Sequence, residues 1–266
     1  MKQNRLIRYT IWGILILCPW ILTSCDMFHE DLPECRLFVK FKYDYNMLFT
    51  DAFHTQVDKV ELYVFDKDGK FLFSQVEEGE ALATGNYQME VKLPIGEYQF
   101  LAWAGARDSY DIYTPRGENT ITDMRLRLKR EESLIISKEL EPLWYGYISD
   151  VDFTGTSHQT ETIDLIKDTN KIRFVFQGYS DSYIRATSGD NWNVNMNDYE
   201  YEIIESNGHL AYDNSLLEDD VLSFRPYYME QKSSSADMYL LLKITILPAK
   251  KNISVSMSMS MRLHRS

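Results

Sequence analysis

Cysteine is nearly absent. The 266 residues hold three, at positions 18, 25 and 35, too few for a disulfide framework. Long apolar runs are missing as well. The one candidate, residues 9–22, covers 14 residues and is interrupted by Pro19, short of the roughly 20 that a bilayer-crossing helix needs. Positive charge is in the minority, with 28 Lys and Arg against 40 Asp and Glu for a net charge of −12. That balance argues against nucleic acid as a partner and against adsorption to anionic lipid.

The motifs of familiar chemistry are missing too. The five histidines (His29, His54, His158, His209 and His264) fall at no metal-ligand spacing, and there is no Cys-x-x-Cys or His-Glu-x-x-His, which argues against zinc. No Gly-x-Ser-x-Gly elbow or Gly-rich phosphate loop occurs, so nothing supports a nucleophile or a nucleotide. Asp66-Lys67-Asp68-Gly69 has its glycine in fourth place rather than the sixth that a helix–loop–helix calcium site requires, and reads as a plain turn. The acidic pairs Glu131-Glu132 and Asp219-Asp220 read as solvated edges or loops. Alternating aromatics such as Tyr43 and Tyr45, or Phe71 and Phe73, read as core or cross-strand pairs rather than sugar platforms. The chain is expected to be no enzyme and to need no cofactor.

What is present begins at the N-terminus. Lys2, Arg5 and Arg8 precede the short apolar run, as in a secretory signal. The run closes on Leu22-Thr23-Ser24-Cys25, which resembles the lipobox of bacterial lipoproteins. That resemblance implies cleavage between Ser24 and Cys25 and acylation of the Cys25 sulfur, with palmitate among the acyl chains. Several acyl chains anchor firmly, since each buried CH₂ adds about 0.8 kcal/mol. Asp26, Glu30, Asp31 and Glu34 follow with Pro33 among them, an extended acidic spacer like those that accompany surface export in Bacteroidia lipoproteins. Loss of residues 1–24 removes three positive charges and leaves −12 − 3 = −15. Cys35 is then the one remaining thiol, so stability must come from burial.

The rest reads as strands, in keeping with 18 Tyr, 13 Phe and 5 Trp. Residues 36–45 alternate, with Leu37, Val39, Phe41, Tyr43 and Tyr45 on one face, a half-buried strand. Residues 57–76 are two apolar runs about an Asp/Gly link, a hairpin. Residues 87–105 give a strand, a turn at Pro94-Ile95-Gly96 and a strand ending in Trp103, expected in the core of the first sandwich. Residues 110–133 suit a strand pair with a long loop. The apolar pattern lapses over residues 146–160, read as an inter-domain linker, and resumes beyond it. Asn207-Gly208 between two strands is a strong hairpin signal.

The stretches "FKYDYNMLFTDAFHTQVDKVELYVFDKDGKF", "LPIGEYQFLAWAG", "DTNKIRFVF" and "NGHLAYDNSLLEDDVLSFRPYY" resemble, in order, the FimB-like fimbrial anchor lipoproteins of Bacteroidia. With the lipobox they span most of residues 25–228. The resemblance implies an all-β fold of two consecutive transthyretin-like or Ig-like β-sandwiches. It divides the chain into a signal peptide (1–24), acylated cysteine and acidic spacer (25–35), N-terminal sandwich (36–155) and C-terminal sandwich (156–266). It implies a subunit held in the outer membrane by its lipid, exposed at the cell surface at the base of a fimbrium. There it would attach the shaft and limit its length, with shaft pilin or accessory fimbrial subunits as partners. The alternative is a surface lipoprotein adhesin, or a fimbrial tip gripping host protein or glycan. Shaft subunits of the family lose an N-terminal strand to a protease cutting after Arg or Lys. Here ten residues separate Cys25 from Arg36, so such a cut would free the protein from its membrane, and none is expected.

The end of the chain departs from the pattern. Residues 238–266 carry five Lys and Arg, no Asp or Glu, four of the 11 methionines and the run "SMSMSMR". A truncated or frame-altered terminus is one expectation, and a family variant with a short C-terminal strand the other. "MYLLLKITIL" could still form a strand, whereas the tail from Pro248 onward is expected to pack poorly.

Overall fold

The computed structural model describes residues 34–179, 199–233, 237–248 and 256–261. The chain is all-β. In order it forms β1 (Leu37–Lys42), the single turn of helix α1 (Phe53–Gln56), β2 (Lys59–Asp66), β3 (Phe71–Glu78), β4 (Met89–Val91), β5 (Gly96–Ala104), β6 (Tyr110–Tyr113), β7 (Arg125–Leu128), β8 (Ile135–Ile136) and β9 (Trp144–Phe153). There follow β10 (Gln159–Asp164), β11 (Ile166–Lys167), β12 (Asn170–Tyr179), β13 (Tyr199–Glu205), β14 (His209–Ala211), β15 (Leu222–Phe224), β16 (Tyr228–Ser233), β17 (Asp237–Ile246) and β18 (Ser256–Met261).

The strands make five sheets, ordered β10-β1-β4, β11-β9-β5-β2-β3, β12-β17-β16, β18-β13-β15-β8 and β14-β7-β6. The five-stranded sheet is a wall with a core on each face. Val60, Leu62, Val64, Phe100, Ala102 and Phe153 point to one side, where Leu37, Val39 and Phe41 of β1 meet them. Tyr63, Phe65, Leu101, Trp103 and Tyr145 point to the other, against Leu126 of β7, Phe224 of β15 and Ile244 of β17. Burial on both faces is why β2 and β5 read as nearly continuous apolar runs rather than clean alternations.

Several expected local structures are present. Residues 66–69 do turn β2 into β3: Asp66 Oδ1 accepts the amides of Asp68 and Lys70 at 3.0 and 2.8 Å, and Gly69 takes φ +78°. That is turn chemistry. β6 and β7 pair as anticipated for residues 110–133. At the corner where the chain leaves β4 for β5, the Tyr98 hydroxyl donates to Pro94 O at 2.7 Å, a tyrosine corner of the kind sandwiches use.

Three readings need correction, while that of Trp103 as a core residue holds. Residues 146–153 are no linker but most of β9, paired along β5; exposed Ser149, Asp150 and Asp152 within the strand diluted its pattern. Trp103 is buried, at 1% exposure, but in the core opposite the one facing β1. Its neighbours Ala102 and Ala104 take the other side because side chains alternate. Asn207-Gly208 makes no hairpin, since β13 and β14 lie in different sheets. Asn207 is instead buried with its side-chain amide on Leu247 O at 2.8 Å. A Cβ at Gly208 would stand 2.7 Å from both Asp219 Oδ2 and Leu222 Cδ1, so close packing and not a left-handed turn calls for glycine. Finally, the tail does not wholly fail to pack, because Ser256–Met261 pair antiparallel with β13 as β18. In register, Met257, Met259 and Met261 fall opposite Ile203, Tyr201 and Tyr199, and Ser258 and Ser260 opposite Glu202 and Glu200.

Strand pairing also runs across the position expected to divide the sandwiches. β10 lies parallel to β1, while β7 pairs with β14 and β8 with β15. Arg36–Ser266 forms one compact unit.

Candidate assembly surfaces

Ser24 and Cys25, the expected cleavage and acylation residues, lie outside the described residues. The described chain opens on the segment that would carry the tether into the fold. Cys35 is exposed, and so is Arg36. β1 begins directly after it and occupies the middle of its sheet, antiparallel to β4 and parallel to β10. Leu37, Val39 and Phe41 are buried on alternate positions. The Gln159 amide donates to Arg36 O at 2.9 Å, and the Leu165 amide to Lys42 O at 2.7 Å, closing both ends of the β1–β10 pairing. β1 is thus a central strand, filled by the chain itself.

β1 stops at Lys42, earlier than the alternation suggested. Tyr43 is still buried, but Tyr45 is 82% exposed. Residues 44–51 form a loop organised by one side chain. Asn46 Nδ2 donates to Tyr43 O at 2.7 Å and Thr50 O at 2.8 Å, while its Oδ1 accepts the Leu48 amide at 2.8 Å. Sequence reading missed this loop because Tyr-Asp-Tyr continues the strand's period. The available signal was Asn46 itself, with Asp44 and Asp51 around it, since such side chains compete with strand pairing for backbone groups.

Elsewhere, two carboxylates are interior. Asp219, expected to be solvated, has a fully buried side chain; Arg130 donates to its Oδ1 at 2.6 Å and Arg127 lies 3.6 Å away. Two guanidiniums explain how a carboxylate can be interior there. Glu131 and Glu132 are exposed as expected. Asp168 is buried, and burial pushes its carboxyl up to about 7 even though the Asn214 amide, donating to Oδ1 at 2.8 Å, pulls it down. Its Oδ2 has no partner among the described residues. Across the outer side of the β12-β17-β16 sheet, a cleft is lined by Glu139, Lys171, Arg173, Tyr228 and Lys243. Lys171 pairs with Glu139 at 2.5 Å, and Lys243 Nζ sits 4.8 Å over the Tyr228 ring. Among the described residues no group of three His, Cys, Asp or Glu could hold a metal ion, and no helix is long and apolar enough to cross a membrane.

Comparison with known proteins places this geometry. The family model of fimbrillin-A associated anchor proteins Mfa1 and Mfa2 matches residues 32–262. The minor fimbrium anchoring subunit Mfa2 of Porphyromonas gingivalis is 23% identical over 203 residues, covering 75% of this chain. The chain spans 60% of the length of that curated relative. A Bacteroides thetaiotaomicron protein of solved structure, proposed to bind polysaccharide, is similar at 59% identity and a TM-score of 0.76, over 86% of this chain and 77% of its own. The solved fimbrial anchor protein Mfa2 of P. gingivalis shares the fold at a TM-score of 0.65 and 18% identity, over 85% of this chain and 77% of its own. With its matched span running from the spacer through β18, the chain belongs to the fimbrillin-A associated anchor proteins.

Proposed function

We propose that this chain is a lipid-anchored subunit of a fimbrium, tethered to the outer membrane through acylated Cys25 after cleavage behind Ser24. It attaches the shaft to the cell surface and limits its length, with shaft pilin or accessory fimbrial subunits as partners. The observation that carries the reading is the family match over residues 32–262, in a chain whose first 25 residues end in a lipobox-like Leu-Thr-Ser-Cys. The place of β1 supports it as well. A subunit at the base has no need to surrender its own N-terminal strand, and β1 here is a built-in central strand. The family is described by anchoring, which favours a structural role over a catalytic one. A division into two sandwich modules at residues 155 and 156 requires β10, β11, β14 and β15 to pair back across it. A neighbouring subunit's strand would join by main-chain hydrogen bonds and filled side-chain pockets, a long-lived joint without covalent chemistry. The adhesin reading has less support, since the family is described by anchoring.

The test has two arms. Cys25→Ala is expected to abolish incorporation of labelled palmitate and to release the protein from the membrane fraction; continued labelling would refute the assignment of Cys25. Deleting the gene is expected to give longer fimbriae that are shed more readily. Fimbriae of unchanged length and attachment would refute the anchoring role.

A further inference from the structure

The loop joining β1 to α1 carries four large apolar side chains in five residues, and none is covered. Tyr45 is 82% exposed, Met47 93%, Leu48 62% and Phe49 94%. Soluble surfaces scatter such residues singly, and a cluster marks a contact. We propose that this loop is a lipid-surface wedge that dips Tyr45, Met47, Leu48 and Phe49 into the interface of a zwitterionic bilayer. The proposal rests on the reading of the chain as membrane-tethered. It adds a second contact that needs no acyl chain and that would limit swivelling about the tether.

Three features select a bilayer over a groove in another protein. The side chains project: at more than nine-tenths exposure, Met47 and Phe49 stand clear of the loop. A fluid interface accepts projecting apolar groups without a matching pocket, whereas a protein partner would have to supply one. Next, part of the loop's backbone is already paired within the chain, as backbone that approaches lipid must be. Asn46 takes up Tyr43 O, Thr50 O and the Leu48 amide, and the Asn46 amide donates to Asp44 O at 2.8 Å. Last, the flanking charges are already paired or bonded. Lys42 Nζ lies 2.5 Å from Asp44 Oδ2; Asp51 Oδ1 accepts the amides of Tyr43 and Phe53, both at 3.0 Å. No Lys or Arg occurs from residue 43 to residue 58, so the loop offers nothing to an anionic headgroup, and the attraction has to be apolar. Tyrosine suits the interfacial depth. Phe49 is held at φ +54°, a conformation in which a bulky residue is a genuine outlier.

The test is flotation of the chain from Asp26 onward, which retains the whole compact unit Arg36–Ser266, with phosphatidylcholine vesicles. Lacking Cys25, this chain reports on the loop alone, so its behaviour is separable from any failure of acylation. It is expected to float with the vesicles equally well at low and high salt. The double variant Met47→Gln and Phe49→Asn is expected to lose at least about tenfold in partitioning, because most of the inserted apolar area is gone. Asn tolerates φ > 0 better than Phe, so the variant should melt no lower than the parent. Failure of the parent to float, equal flotation of the variant, or loop-dependent dimerisation without vesicles would each overturn the proposal, the last by giving the loop to a protein partner.

Discussion

Asp168 shows how far one residue can set the protein's response to pH. Its carboxyl is buried beside Asn214, and burial carries it from the ordinary 3.8 to about 7. The unfolded chain ionises it near 4, so between pH 4 and 7 the folded state binds more protons. Stability from this group is therefore greatest at low pH, falls as pH rises toward 7, and stays low above it. A displacement of this size corresponds to at most about 4 kcal/mol. Asp168→Asn keeps an acceptor for the Asn214 amide but cannot ionise. The difference in melting temperature, variant minus parent, is expected to grow from pH 4 to pH 7.5. Parallel melting profiles would show that Asp168 ionises as freely when folded as when unfolded.

At the scale of elements, the five-stranded wall is the feature with most consequence. Because β2 and β5 at its centre are packed on both faces, a cavity on one face need not loosen the other. Trp103 lies on the face toward β7, β15 and β17, with its ring centroid 5.1 Å from that of Tyr145. Trp103→Ala is expected to cost about 3–5 kcal/mol, as large-to-small changes at buried aromatics do. Amide exchange should speed most in β7 and β14, with β1 and β10 better protected; an unaltered unfolding midpoint, or fastest exchange in β1, would contradict this placement. β18 belongs to the same scale. It covers one edge of β13, an edge that would otherwise offer unpaired backbone groups for aggregation.

For the whole molecule, the decisive arrangement is Arg36 exposed on one side of a junction and β1 buried on the other. Arg36 is the first Lys or Arg after Cys25. A protease cutting after it is expected to release residues 37–266 from the membrane while leaving β1 in place, so the released protein should keep its melting temperature. Removing residues 37–42 instead should prevent folding, since Leu37, Val39 and Phe41 are core and β10 and β4 would lose the strand between them. Intact mass together with thermal melting checks both; a released fragment that melts well below the parent would show that the spacer contributes to the fold.

Local chemistry alone determined much of this protein. The alternation from Leu37 to Phe41 dictated β1, the Asp-Gly turn dictated the β2–β3 hairpin, and the family-like runs around Tyr-Asp-Tyr-Asn-Met and Ala-Trp-Ala-Gly pointed to the anchor family. These signals act over a few residues or lie in the order of motifs, and a single sequence displays both. Tertiary structure alone decided which core received Trp103, why Asn207-Gly208 is interior rather than a turn, and how Asp219 came to be buried. Each depends on atoms far apart in the chain: Ala102 and Ala104 against Trp103 across one sheet, Leu247 beside Asn207, Arg130 beside Asp219. The loop at Asn46 lay between the two cases. Its polar side chain was visible, but the period of Tyr43 and Tyr45 outweighed it, and only three hydrogen bonds made in space turned a strand's continuation into an exposed apolar tip.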